Sequence, residues 1–239
     1  MTIKGIFFDL GGTLFSYRNV AQTNVRFLLE ATERLKCDES PEAIKQAYGK
    51  ASKEIAARYA QQPYYLHVDL FNDMFVRFVE FLDVAYDPEV HEWYRREYDQ
   101  ALFDCLEIKA DCIGTLSALK AKSLYLSICS NIDEHMLTPL VTREALHDYL
   151  DHWTSSEAAR SCKPHRGIFD VCLEKSGLNP SEVLFVGDSP EHDIAGAAAL
   201  GMRTALVTDG GMEPPLQTKT TTALPDHVIG TLAELSDLI

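Results

Sequence analysis

The sequence predicts an α/β fold: a three-layer core around a parallel sheet, interrupted near its start by an inserted four-helix bundle. Three observations carry that prediction. Short apolar runs recur along the second half of the chain with helical stretches between them, one more such run stands alone near the N-terminus, and residues 16–103 between them show helical periodicity without strands.

Ile6-Phe7-Phe8-Asp9-Leu10 is apolar, short and followed by Gly11-Gly12, the pattern of a buried strand ending in a tight turn, which makes Asp9 a strand-end residue. From Asn19 onward Val25, Leu28, Leu29, Thr32 and Leu35 share one helical face. Ser40-Pro41 reads as an N-cap with proline at the first helical position. Residues 70–82 carry Phe71, Met74, Phe75, Phe78 and Phe81 at three- and four-residue spacing, which predicts the bundle's own core, and Asp87-Pro88 opens a last helix through Trp93 and Tyr94. Strands are then expected at 124–129, 183–186, 204–207 and 227–229, with helices at 112–121, 165–176 and 193–200. The lone first strand has no partner unless it joins that sheet. The core is therefore residues 1–15 and 104–239, and 16–103 are an insertion. In such sheets ligands bind beyond the carboxyl ends of the strands.

Composition narrows the partners. A hydrophobic share of 46% over 239 residues is ample for a buried core. The formal charge of −14 repels nucleic acid and anionic membrane surfaces, although a metal ion and backbone N–H groups can still bind a small phosphate locally. Six cysteines, with no CxxC pair and no His/Cys grouping, read as reduced core thiols. No apolar run approaches the roughly 20 residues of a membrane span, and the N-terminal run is too short for a signal segment, so the expected location is cytoplasmic.

Four groups fall at the predicted strand ends or just before a helix: Asp9-Leu10-Gly11-Gly12-Thr13, Ser130-Asn131, Lys163-Pro164 and Gly187-Asp188-Ser189-Pro190-Glu191-His192-Asp193. Singly each is ordinary: a strand-turn, a helix cap, an exposed lysine beside proline, a pair of acids. In this order they resemble the four motifs of the haloacid-dehalogenase superfamily, with a large cap insertion between the first and second, and the resemblance covers the entire chain. It implies a Rossmann-like core with a helical cap of the C1 type, and Mg²⁺-dependent hydrolysis of a small phosphorylated metabolite.

The resemblance makes Asp9 the nucleophile that forms an aspartyl-phosphate. Asp9, Asp188 and the Gly11 main-chain carbonyl would hold Mg²⁺, with Asp193 orienting that shell. Ser130 and the Asn131 backbone would donate to the transferring phosphoryl, Lys163 would neutralise Asp9 and the phosphate, and Thr13 would lock the turn and add a donor. His192 is expected to face solvent. Closure of the cap would exclude water and select the substrate.

One position departs from the pattern. The superfamily's phosphatases usually carry a second Asp two residues after the nucleophile, as general acid and base, and here that residue is Gly11. Acid–base help is worth about 10²–10⁴ in rate. Three readings follow: another group (Asp133, Glu134, His135, His165 or a cap residue) moves the proton; the substrate has a good leaving group; or the protein is catalytically impaired and binds a metabolite or a protein. Phosphonoacetaldehyde hydrolases also lack that Asp and use a cap lysine, for which Lys45, Lys50 and Lys53 are available, though helix lysines are ordinarily solvated. Two-haloacid dehalogenases use the same nucleophile without Mg²⁺, but the 187–193 stretch has the metal-binding form.

Overall fold

The structure is a computed structural model that describes residues 2–208 and 221–239; residues 209–220 of the expected core lie outside it. The chain divides into two compact units. The smaller, Tyr17–Gln62 with Leu66–Leu106, contains helices α1 (Val20–Arg34), α2 (Pro41–Tyr59), α3 (His67–Phe81) and α4 (Pro88–Cys105). Two of them start on the expected caps. Ser40 Oγ accepts the Ala43 N–H at 3.2 Å, and the Asp87 carboxylate accepts the Glu89 N–H at 2.8 Å, each with proline at the first helical position.

The core of this unit is aromatic. Met74, Phe75 and Phe78 of α3 are buried as the spacing predicts, whereas Phe71 is half-buried and Phe81, expected in the core, is exposed; Phe75 stacks on Tyr94 at 4.3 Å, and Tyr94 stacks on Tyr98 at 4.8 Å. Burying one such side chain contributes about 1.5–3 kcal/mol. The face expected for α1 is corrected: Val25 and Leu29 are 52% and 41% exposed, whereas Thr23, Phe27, Leu28, Ala31 and Thr32 are buried. Phe27 decides the rotation, because its ring stacks on Trp93 at 5.7 Å and meets Tyr98 edge-on at 5.6 Å. Lys45, Lys50 and Lys53 are exposed along α2.

The larger unit comprises Met1–Ser16, Pro63–Tyr65 and Glu107–Ile239. Its six-stranded sheet has the order β5-β4-β1-β6-β7-β8, every neighbouring pair parallel: β1 (Gly5–Phe8), β4 (Tyr125–Ser130), β5 (His152–Ser155), β6 (Val183–Gly187), β7 (Arg203–Val207) and β8 (His227–Ile229). β1 thus joins the sheet at its centre, between β4 and β6. A two-residue antiparallel pair, β2 (Phe15–Ser16) with β3 (Glu107–Ile108), lies where the chain leaves and re-enters this unit. Helices α5 (Cys112–Ala121), α6 (Glu134–Arg143), α7 (Ser156–Ala159), α8 (Arg166–Ser176) and α9 (Gly196–Ala199) connect the strands. Phe7, Cys129, Ile168, Phe169, Cys172, Val183 and Phe185 pack into one buried cluster.

The short elements β2, β3 and α7 escaped sequence reasoning, and so did β5 and α6. β5 reads His-Trp-Thr-Ser and offers no apolar run, and α6 carries Pro139 in its interior. Pro63–Tyr65 also departs from the expected boundary at 16–103, since the Cys162 N–H donates to the Pro63 carbonyl at 2.8 Å within the larger unit. Among the described residues all six cysteines are free, and no helix is long and apolar enough to cross a membrane.

Candidate active site

Three adjacent central strands end in chemistry. Asp9 follows β1, and its N–H donates to the Val186 carbonyl of β6 at 2.8 Å. The turn beyond it closes through Leu14 and Phe15 N–H groups on the Leu10 carbonyl, with Gly12 at φ 71°, a left-handed position that glycine takes without strain. Lys109 Nζ caps the Gly12 carbonyl at 2.5 Å. Gly11 is half-buried in this turn, opposite Phe15. Thr13 is fully buried, and its hydroxyl has no hydrogen-bond partner among the described residues.

Ser130, the last residue of β4, donates its hydroxyl to Asp9 Oδ1 at 2.8 Å. Lys163, just before α8, reaches the same oxygen with Nζ at 2.5 Å and Asp193 Oδ1 at 2.6 Å, its side chain only 2% exposed. The second Asp193 oxygen accepts the Ser189 N–H at 2.9 Å. Asp188 follows β6, and one carboxylate oxygen each from Asp9, Asp188 and Asp193 lie within 4.8 Å of one another. Gly187 leaves the space for this, because a Cβ there would fall inside the Asp193 carboxylate.

Three buried carboxylates thus face one buried ammonium. Burial, then the charges of Asp9 and Asp193, hold the Asp188 carboxyl well above the usual carboxylate range. Burial likewise pushes Asp193 up to about 6, against the pull of Lys163. Burial works against the Lys163 charge, but Asp193 and Asp9 outweigh it and keep the amine above the ordinary lysine range, hence charged. This cluster is the one set of acidic, His or Cys groups among the described residues with the proximity to hold a metal ion.

Asp9, Ser130, Lys163, Asp188 and Asp193 are therefore brought together. The Asn131 side chain turns instead to the Lys163 main chain, accepting its N–H at 2.7 Å and donating to its carbonyl at 3.0 Å. Of the groups considered for proton transfer, Glu134 accepts hydrogen bonds from Ser155 and Thr138, Asp133 is buried, and His135 and His165 are exposed. His192, expected to face solvent, is half-buried, with its N–H on Ser189 Oγ at 2.9 Å. Sequence reasoning passed over Ser189 and Lys109. The Ser-Pro pair at 189–190 is a cap signature that marks the former, whereas nothing local marks the latter.

The chain matches the model of the haloacid dehalogenase-like hydrolases over residues 3–201. It is 27% identical to the ribulose-1,5-bisphosphate 5-phosphatase of Halopiger xanaduensis over 241 residues, 98% of each chain. Among solved structures, the L-2-haloacid dehalogenase of Xanthobacter autotrophicus with chloropropionic acid covalently bound is 26% identical, with a TM-score of 0.70 over 99% of this chain and 98% of that one. The magnesium-bound HAD-hydrolase YfnB of Bacillus subtilis shares the fold at a TM-score of 0.75 and 18% identity, over 100% of this chain and 99% of that one. With its sheet order, its strand-end cluster and a match over most of its length, this chain belongs to the haloacid dehalogenase-like hydrolase family.

Proposed function

We propose that the protein is a Mg²⁺-dependent phosphatase of a small phosphorylated metabolite, with Asp9 as nucleophile. The observation that supports this most is the buried triad of Asp9, Asp188 and Asp193 within 4.8 Å, with Lys163 bound to two of its members. The donor set fits a hard cation: all ligands are oxygens, and the raised Asp188 and Asp193 carboxyls are those whose ionisation a divalent ion would restore. Asp9, Asp188 and the Gly11 carbonyl would hold Mg²⁺, and Asp193, fixed by Ser189 and Lys163, would orient that shell. When bound, the ion neutralises charge on the transferring phosphoryl oxygens.

The residues then have distinct tasks. Ser130 and Lys163 both hold Asp9 Oδ1, leaving Oδ2 to attack phosphorus in line with the departing oxygen. The P–O bond to the substrate breaks as the bond to Asp9 forms. Water then attacks the aspartyl-phosphate, releasing inorganic phosphate and the Asp9 carboxylate. Lys163, the Asn131 main-chain N–H and the Thr13 hydroxyl stabilise the equatorial oxygens, joined by Ser130 once its single O–H turns from Asp9 to the phosphoryl. Gly11 supplies no proton, so acyl and aryl phosphates, whose leaving groups depart unprotonated, are favoured over alkyl phosphates. The helical unit is assigned the role of a substrate-selecting cap, and the bisphosphate relative agrees with a small phosphorylated substrate.

Dehalogenation is the second reading. A halide leaves without a proton, so attack of Asp9 on carbon needs no acid at Gly11, and the relative with covalently bound chloropropionic acid carries that chemistry. The two readings separate by assaying phosphate release from p-nitrophenyl phosphate and an alkyl phosphate, with and without Mg²⁺, and halide release from 2-chloropropionate, in wild type and Gly11→Asp. The left-handed glycines among the described residues are Gly12, Gly177 and Gly201, so an aspartate at Gly11 meets no such strain. The expected result is Mg²⁺-dependent aryl phosphatase activity, with a selective gain of about 10²-fold on the alkyl ester in Gly11→Asp. Halide release without Mg²⁺ would install the dehalogenase reading, and activity confined to Gly11→Asp would favour a binding role.

A further inference from the structure

Lysine carries its charge on a long stem with several rotatable bonds, and holding Lys163 Nζ between two carboxylates requires a backbone that does not move. That backbone is gripped on both sides by one side chain. Asn131 accepts the Lys163 N–H through Oδ1 at 2.7 Å and donates Nδ2 to the Lys163 carbonyl at 3.0 Å. Both ends of the amide are thereby occupied within one residue, and among short side chains only asparagine pairs an acceptor and a donor in this planar spacing.

The segment carrying Asn131 is itself braced. Ser156 Oγ accepts the Ile132 N–H at 3.1 Å and lies 3.2 Å from the Ile132 carbonyl, the Glu157 carboxylate accepts the Glu134 N–H at 2.8 Å, and Ser155 donates to Glu134. The loop after β4 is thus pinned to β5 and α7, and it passes that fixed frame to Lys163 through Asn131. We infer that Asn131 is a positioning residue, whose side chain acts on the reaction through Lys163 and does not touch the substrate.

This inference rests on the phosphatase reading for its kinetic consequence but not for its geometry, and the experiment separates the two. Asn131→Ala, or Asn131→Ser should the alanine variant be insoluble, removes the clamp while keeping the main-chain N–H that the reaction uses. In protein shown to be folded by circular dichroism, kcat for p-nitrophenyl phosphate with Mg²⁺ should fall by about 10- to 100-fold with KM little changed. A crystal structure of the variant should show Lys163 Nζ withdrawn from Asp9 and Asp193. In a Lys163→Ala background the clamp bonds persist, because they are to main chain, so Asn131→Ala should lower Tm there too, while its loss of kcat should be much smaller than in wild type, the two substitutions being non-additive in kcat. The inference is overturned by an unchanged kcat, by a loss confined to KM, which would mark a substrate contact, or by Lys163 keeping both carboxylate contacts. Should wild type release no phosphate, the functional reading fails alone and the crystal structure decides the inference.

Discussion

The two units bury different things. In the helical unit the interior is aromatic and aliphatic, and the ion pairs, such as Arg34 with Glu30 and Arg58 with Asp73, stand at the surface. In the sheet unit, beside an equally apolar core, Asp9, Lys163, Asp188 and Asp193 are all less than a tenth exposed. Burying four ionisable groups opposes folding, and a protein keeps such a group where the reaction needs a low-dielectric field that points the right way. Under the proposed function stability and chemistry are carried by different residues, and substitutions should separate them.

The largest effect on stability is expected from Phe78→Ala in α3, a loss of about 3–5 kcal/mol by chemical denaturation, with the kcat of the remaining folded protein unchanged. A fall in kcat of the folded fraction would show that α3 serves the chemistry as well as the packing. Gly187→Ala should cost less, about 1–3 kcal/mol, yet it pushes the Asp193 carboxylate aside and should weaken Mg²⁺ binding by calorimetry, the reverse profile. Unaltered Mg²⁺ affinity would show that Asp193 does not organise the metal shell.

A pH effect follows from Asp193. Its carboxyl is raised from 3.8 to about 6 in the folded state, so between those values the native protein holds a proton that the unfolded chain has shed. Metal-free stability should therefore decline as pH rises across that window, and Mg²⁺ affinity should climb through about pH 6 with release of protons. A metal-free stability that rises over the same window would contradict the assignment. At the small end, Glu30→Gln at the surface of α1 should change stability by only about 0.2–1 kcal/mol and catalysis not at all.

Legibility in the sequence followed the same division. The central strands were readable because a parallel strand covered on both faces is apolar throughout, and Asp9, Ser130 and Asp188 were readable because they stand at or just beyond the ends of such runs. The edge strand β5 has no such run. On α1 two adjacent stripes fit the helical period equally well, and the choice between Leu29 and Phe27 was made by Trp93 and Tyr98, distant in sequence. Within the site, residue types betrayed the charges but not their partners. That Lys163 bridges Asp9 and Asp193, and that Asn131 grips the main chain 32 residues away, depends on loop packing that no local pattern encodes.

The most direct test is phosphate release from p-nitrophenyl phosphate by wild type and Asp9→Asn, each with Mg²⁺ and with EDTA. Asparagine keeps the size of Asp9 but cannot form the acyl-phosphate, so turnover should appear only in wild type with Mg²⁺ and fall by at least about 10³-fold in the variant. Equal rates in the two proteins, or a wild-type rate indifferent to EDTA, would contradict a metal-assisted nucleophile at Asp9.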